Sequence, residues 1–230
     1  MNIAPFIFIG LLATFSVSWF GYVFRPQADL GKLEQFKDPI TSQLYPMARN
    51  GQAQQGAEVY RAQGCAACHT QQVRAREEGN DIARGWGTRR TVAPDYMLEN
   101  PPQLGWVRLG PDLSNIGGRQ PDPAWHYAHL LDPKSKVDRS NMPPYRYLFE
   151  RRKGGAKIAG AFTLAAQPDV QYVPTDEGRA LVAYLLSLRS SGTVFEAPMP
   201  APKTNAPAGG TNAPVAGTNA LSAGTTNAAK

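Results

Sequence analysis

The sequence predicts a mainly α protein with three parts: one N-terminal transmembrane helix, a small α domain with long loops, and a disordered tail. Three observations carry this. Ile3 to Phe24 is a 22-residue run without a charged side chain. Helix signals cluster at residues 50–64 and 175–188, with Pro- and Gly-rich sequence between them. The last 30 residues repeat Thr-Asn-Ala at Thr204, Thr211 and Thr218, and again at Thr226, amid Ala, Gly and Pro. The implied segments are an anchor at 1–24, a linker at 25–49, a folded domain at 50–192 and a tail at 193–230.

A helix of 22 residues is about 33 Å long, enough to cross a hydrocarbon core of about 30 Å. A cleaved signal peptide is the alternative. No Lys or Arg precedes the run, and Trp19, Phe20, Tyr22 and Phe24 stand where small residues would mark a cleavage site. Such aromatics suit the membrane interface. Arg25 and Lys32 follow the run and nothing basic precedes it, which by charge alone favours a cytoplasmic C-terminal side.

Residues 25–49 contain Pro26, Pro39 and Pro46 and no helical period, so an extended linker is expected. Asn50 can cap a helix over Gly51 to Gly64, with Ala57, Val59, Tyr60 and Ala62 as its apolar face. Thr175 is an N-cap for a second helix, and Asp176 and Glu177 suit its positive end. Leu181, Leu185 and Leu188 recur at i, i+4 and i+7 and read as core. The tail lacks aromatics after Phe195 and cannot bury enough apolar surface to offset chain entropy.

The net charge is +6 over the chain, and Arg139 to Lys157 alone holds six basic residues and one acid. No nucleic-acid module accompanies this charge, so an acidic protein or anionic lipid is the expected user. The segment is expected at the cofactor's exposed edge, because Met142 lies inside it.

Two Cys and three His exclude a disulfide scaffold and leave little for a closed zinc site. Cys65-Ala66-Ala67-Cys68-His69 instead fits one covalently attached haem c. Two thiols three residues apart share a helical turn and can each add to a vinyl group. His69 then lies under the iron as proximal ligand. A redox dithiol would want a strand before the motif, whereas a helix precedes it here.

The second axial ligand comes from Met97, Met142, His126 or His129. Met142 is the choice, because Pro143 and Pro144 stiffen its loop into an extended arm. Met97 reads as packing, and His126 and His129 as structural residues of a short helix after Trp125. A ligating His needs an acceptor on its other nitrogen, and the carbonyl of Pro111 in Gly110-Pro111-Asp112-Leu113 suits this. Arg119 is either a propionate partner or an ordinary loop arginine.

Taken together, Cys65 to His69, Gly110 to Leu113, Met142-Pro143 and the 175–188 helix resemble a class I cytochrome c domain. Finer stretches resemble subunit II of cbb3-type cytochrome c oxidases. They are Cys68 to Arg74, Gly85 to Thr91, Trp125 to Leu130, Asp132-Pro133 and Ser140 to Tyr145. Residues 153–173 and the tail have no counterpart in that pattern. The resemblance implies a non-catalytic, membrane-bound electron-transfer subunit with its haem domain on the periplasmic side. Electrons would come from another c-type cytochrome subunit or a soluble cytochrome and pass to the large haem–copper subunit. The mono-haem subunit of a nitric oxide reductase is the nearest rival. A haem catalyst or sensor with an open sixth position and a released soluble carrier are the others.

Overall fold

Each of the two domain helices begins where its N-cap side chain accepts a backbone N–H, and their crossing sets the core. Asn50 accepts from Ala53 at the start of α3 (Gly51–Ala62), and Thr175 accepts from Gly178 at the start of α6 (Asp176–Ser187). A computed structural model describes residues 3–31, 33–197 and 199 of the chain. The described residues are mostly helical.

The N-terminal apolar run forms α1 (Ala4–Trp19), a π turn (Phe20–Phe24) and α2 (Arg25–Leu30). Ala4–Leu30 is 27 residues long, none of them buried, and is a candidate membrane span by length and composition. The helix thus runs six residues beyond the expected end. Pro26 does not stop it, because the wide turn just before it absorbs a disrupted ladder: Arg25 N–H bonds the Phe20 carbonyl.

The expected extended linker is corrected in its second half too. β1 (Phe36–Lys37) pairs antiparallel with β2 (Leu44–Tyr45). Tyr45 is buried against Val92, Val194 and Ala197. The buried Arg89–Asp95 ion pair, 2.6 Å, also binds the Tyr45 hydroxyl, and Arg89 Nε donates to the Gly192 carbonyl at 2.6 Å. Residues 193–197, expected in the tail, therefore pack on the domain. The Thr-Asn-Ala repeats lie outside the described residues.

Gly56 on α3 meets α6 so closely that a Cβ there would lie 1.9 Å from the Ala180 carbonyl oxygen. The contact lets the Tyr60 and Tyr184 rings meet at a tilt, centroids 5.3 Å apart, and both are buried with Leu181, Leu185 and Leu188. The Leu stripe is core, as its period predicts. On α3 the buried face is Ala53, Gly56, Ala57 and Tyr60; Ala62 is exposed.

Two short helices follow in chain order, α4 (Ile116–Arg119) and α5 (Pro123–Leu131), the latter capped by Asp122. A three-stranded antiparallel sheet comes next, with β3 (Phe149–Lys153) and β4 (Phe162–Leu164) on either side of β5 (Gln167–Pro174). Nothing in the sequence pattern announced it. Only Phe149 of β3 is buried, so the strand shows no period-two alternation.

Candidate cofactor site

α3 ends at Gly64, whose φ of 68° is the left-handed cap that a side chain would disfavour. The chain reverses there into a 3₁₀ turn over Cys65–Ala67. Cys65 and Cys68 are free thiols at the two ends of this turn. Burial pushes the Cys65 thiol up to about 12.

His69 leaves the turn braced by residues 104–114. Its Nδ1 lies 2.8 Å from the Pro111 carbonyl oxygen, the acceptor expected from the sequence. Backbone bonds lay the two segments side by side: Gln71 N–H to Leu104, Gly110 N–H to Cys68 and Leu113 N–H to Thr70. Asp112, fully buried, locks them by accepting from Thr70 Oγ1 at 2.6 Å, Gln72 N–H at 2.7 Å and Ser114 N–H at 2.9 Å. Arg108 joins Thr70 to Asp81, and Asp81 also receives Arg74. Burial lowers the basicity of His69, opposed by the Pro111 carbonyl and Asp112. The ring is thereby favoured as a neutral imidazole with Nδ1–H directed at Pro111.

A cavity of about 420 Å³ opens over this ring, within the size range of cofactor sites. Cys65, Cys68, His69 and Leu109 to Pro111 line it, as do His129 and Leu130 of α5 and the loop carrying Arg139 to Pro143. Tyr145 N–H bonds the Leu130 carbonyl at 2.7 Å, which ties the Met142 loop to α5. Tyr60, Leu181 and Leu185 reach the cavity from the core.

The structure thus brings Cys65, Cys68, His69, Pro111 and Met142 to one cavity. Arg119 does not line it: its guanidinium donates to the Asp112 carbonyl, and its Nε is buried without a partner. Met97 is also absent from the wall, and His126 Nε2 is held by the Gln120 carbonyl at 2.8 Å. Of the basic segment, Arg139 lines the cavity, and Arg151, Arg152 and Lys153 are exposed on β3.

Gly110 and Asp112 were not assigned roles by sequence reasoning, and His129 was weighed as a ligand and read as structural. Gly110 leaves the space in which the imidazole lies, and Asp112 holds the brace together. Their adjacency to Pro111 was the available signal for both. His129 borders the cavity and stacks on Trp125, with ring centroids 4.8 Å apart and planes 15° apart. Burial, then the charges of His126 and His69, push it down to about 4.

These residues fit a covalently held haem. The thiols are adjacent, one imidazole is oriented through Nδ1, a thioether faces the same space, and the wall is mostly apolar with no carboxylate. A porphyrin would supply the four iron ligands that one His and one Met leave over.

Among proteins of known family, residues 42–191 match the family described as "Cytochrome C oxidase, mono-heme subunit/FixO". A search of curated proteins found no match.

Proposed function

The chain belongs to the FixO family of mono-haem cytochrome c oxidase subunits, subunit II of the cbb3 type, and from this we propose that it relays electrons to the oxidase's haem–copper subunit. It would do so as a non-catalytic subunit, through one haem c in a class I cytochrome c fold. The family match favours this over a nitric oxide reductase subunit.

The observation that most supports the reading is the convergence of Cys65, Cys68, His69 and Met142 on one cavity. Haem held there would supply a one-electron iron couple. Cys65 and Cys68 would fix it through thioethers. His69, in the segment braced by Asp112 and with Pro111 accepting from its Nδ1, would ligate the iron. Met142, which lines the same cavity, would supply a thioether ligand, which raises the potential relative to a second imidazole. Tyr60, Leu181 and Leu185 keep the site apolar.

Covalent haem c attachment on the periplasmic side would place the domain there, with Ala4–Leu30 as the membrane anchor. The donor is a c-type cytochrome, either a neighbouring subunit or a soluble carrier.

Purification of the intact complex from native membranes tests this. The expected result is one covalent haem c on this chain and a large partner carrying haem b, haem and copper. A partner carrying non-haem iron in place of copper would sink it. Cys65→Ala should leave a haem with a single thioether, read from the α band of its pyridine haemochrome.

A further inference from the structure

Two histidines lie on α5, and the function proposed above uses neither. His126 is accounted for: it is buried, its Nε2 meets the Gln120 carbonyl, and it does not line the cavity. His129, three residues on, lines the cavity that His126 does not reach. We propose that His129 is a reserve iron ligand, an imidazole lining the same cavity as Met142 that takes the sixth position whenever the Met142 thioether is off the iron. This rests on the haem reading of the same cavity.

Four observations carry it. His129 lines the cavity together with His69 and Met142. Its helix is tied to the Met142 loop, because the next residue, Leu130, accepts the Tyr145 N–H. Stacking on Trp125 fixes its ring plane, and its buried Nδ1 makes no hydrogen bond of ordinary geometry, although the Pro133 carbonyl lies near enough to raise the ring's basicity. Finally, no carboxylate lines the cavity, so the ring has no acid there to pair with.

Chemistry supports the same role. A neutral imidazole always keeps one nitrogen lone pair, and burial keeps this ring neutral. Imidazole and thioether both ligate haem iron, and the imidazole gives the lower potential. The pair would give the subunit a high-potential state with Met142 bound and a low-potential state with His129 bound.

The test uses the full-length haem-loaded chain and reads ligation, not turnover. Wild-type protein should show covalent haem and the charge-transfer band of iron–thioether ligation. Without covalent haem the underlying reading fails, and with haem but no such band the Met142 assignment fails and this inference with it. Met142→Ala should lose that band yet remain six-coordinate and low-spin, with a bis-imidazole electron paramagnetic resonance signal and a lowered midpoint potential. Met142→Leu, which refills the space, should do the same. Adding His129→Phe, which keeps an aromatic ring beside Trp125, should make either variant five-coordinate, high-spin and able to bind carbon monoxide. A Met142 variant that is already five-coordinate with His129 intact would overturn the inference. So would a double variant that stays low-spin.

Discussion

A methyl group on Gly110 would lie 2.2 Å from His69 Cε1, so the imidazole lies flat against a residue that cannot carry a side chain. The same segment offers the Pro111 carbonyl to His69 Nδ1, 2.8 Å away. Seat and orientation of the ring therefore come from two consecutive residues.

Gly110→Ala should tilt or displace His69 without touching the thiols. The haem should remain covalently bound, while the ferric spectrum shifts towards high spin. Overpacking of this kind costs about 1–3 kcal/mol. Optical titration and urea unfolding of the variant check both parts. An unchanged spectrum would mean the ring does not depend on this contact.

Gly56 and Gly51 lie on one helix and should behave oppositely. A Cβ at 56 would strike the Ala180 carbonyl, so Gly56→Ala should force α3 from α6 and cost about 3 kcal/mol. At Gly51 nothing lies within 4 Å, so Gly51→Ala should be neutral or stabilise by up to about 1 kcal/mol. Denaturant midpoints of the two variants decide it; equal losses would refute the close crossing.

Asp112→Ala should cost about 3 kcal/mol, because it strands Thr70, Gln72 and Ser114 donors that share one buried carboxylate. It should also loosen the Pro111 carbonyl from His69, seen as faster hydrogen exchange at Gln72 and Leu113. A loss below about 1 kcal/mol would show that the backbone bonds alone hold the brace.

Asp81 supplies the pH dependence. Burial raises its pKa, but bonds from Arg74 and Arg108 outweigh this and hold it at about 2, well below the usual carboxylate range. A depressed carboxylate stabilises the fold above its unfolded pKa, and that contribution is lost as pH falls from about 4 to about 2. Asp81→Asn should be less stable than wild type by about 3 kcal/mol at neutral pH, since it breaks buried pairs. The gap should shrink across the acid window in thermal unfolding. A gap that is constant with pH would rule out the ion pairs as its source.

How much of this was legible in the residues depended on the range of the interaction. Asn50, Thr175 and the Leu181 stripe act within one or two helical turns, so their patterns survive in the linear order, and both helices begin where expected. Cys65 to His69 is a contiguous motif, and Pro111 was found because a rigid turn with a free carbonyl is a local feature. Arg119 was a guess between local alternatives, and the fold spends it on the Asp112 carbonyl. The sheet of β3, β4 and β5 was hidden because β3 buries only Phe149 and β5 buries consecutive residues, so neither shows alternation. Helix α2 was hidden because Pro26 reads as a breaker, although the π turn before it accommodates the disruption.

The linear sequence by itself therefore determined the family, the apolar span, the two capped helices and the residues able to hold a haem. It could do so because each is written in neighbouring residues, as a motif, a period or a cap. Only the tertiary structure decided which distant groups meet. It put Met142 and His129 on one cavity and bonded Arg119 to the Asp112 carbonyl. It left a seat for His69 at Gly110, because such contacts depend on how segments about 40 to 70 residues apart cross and pack.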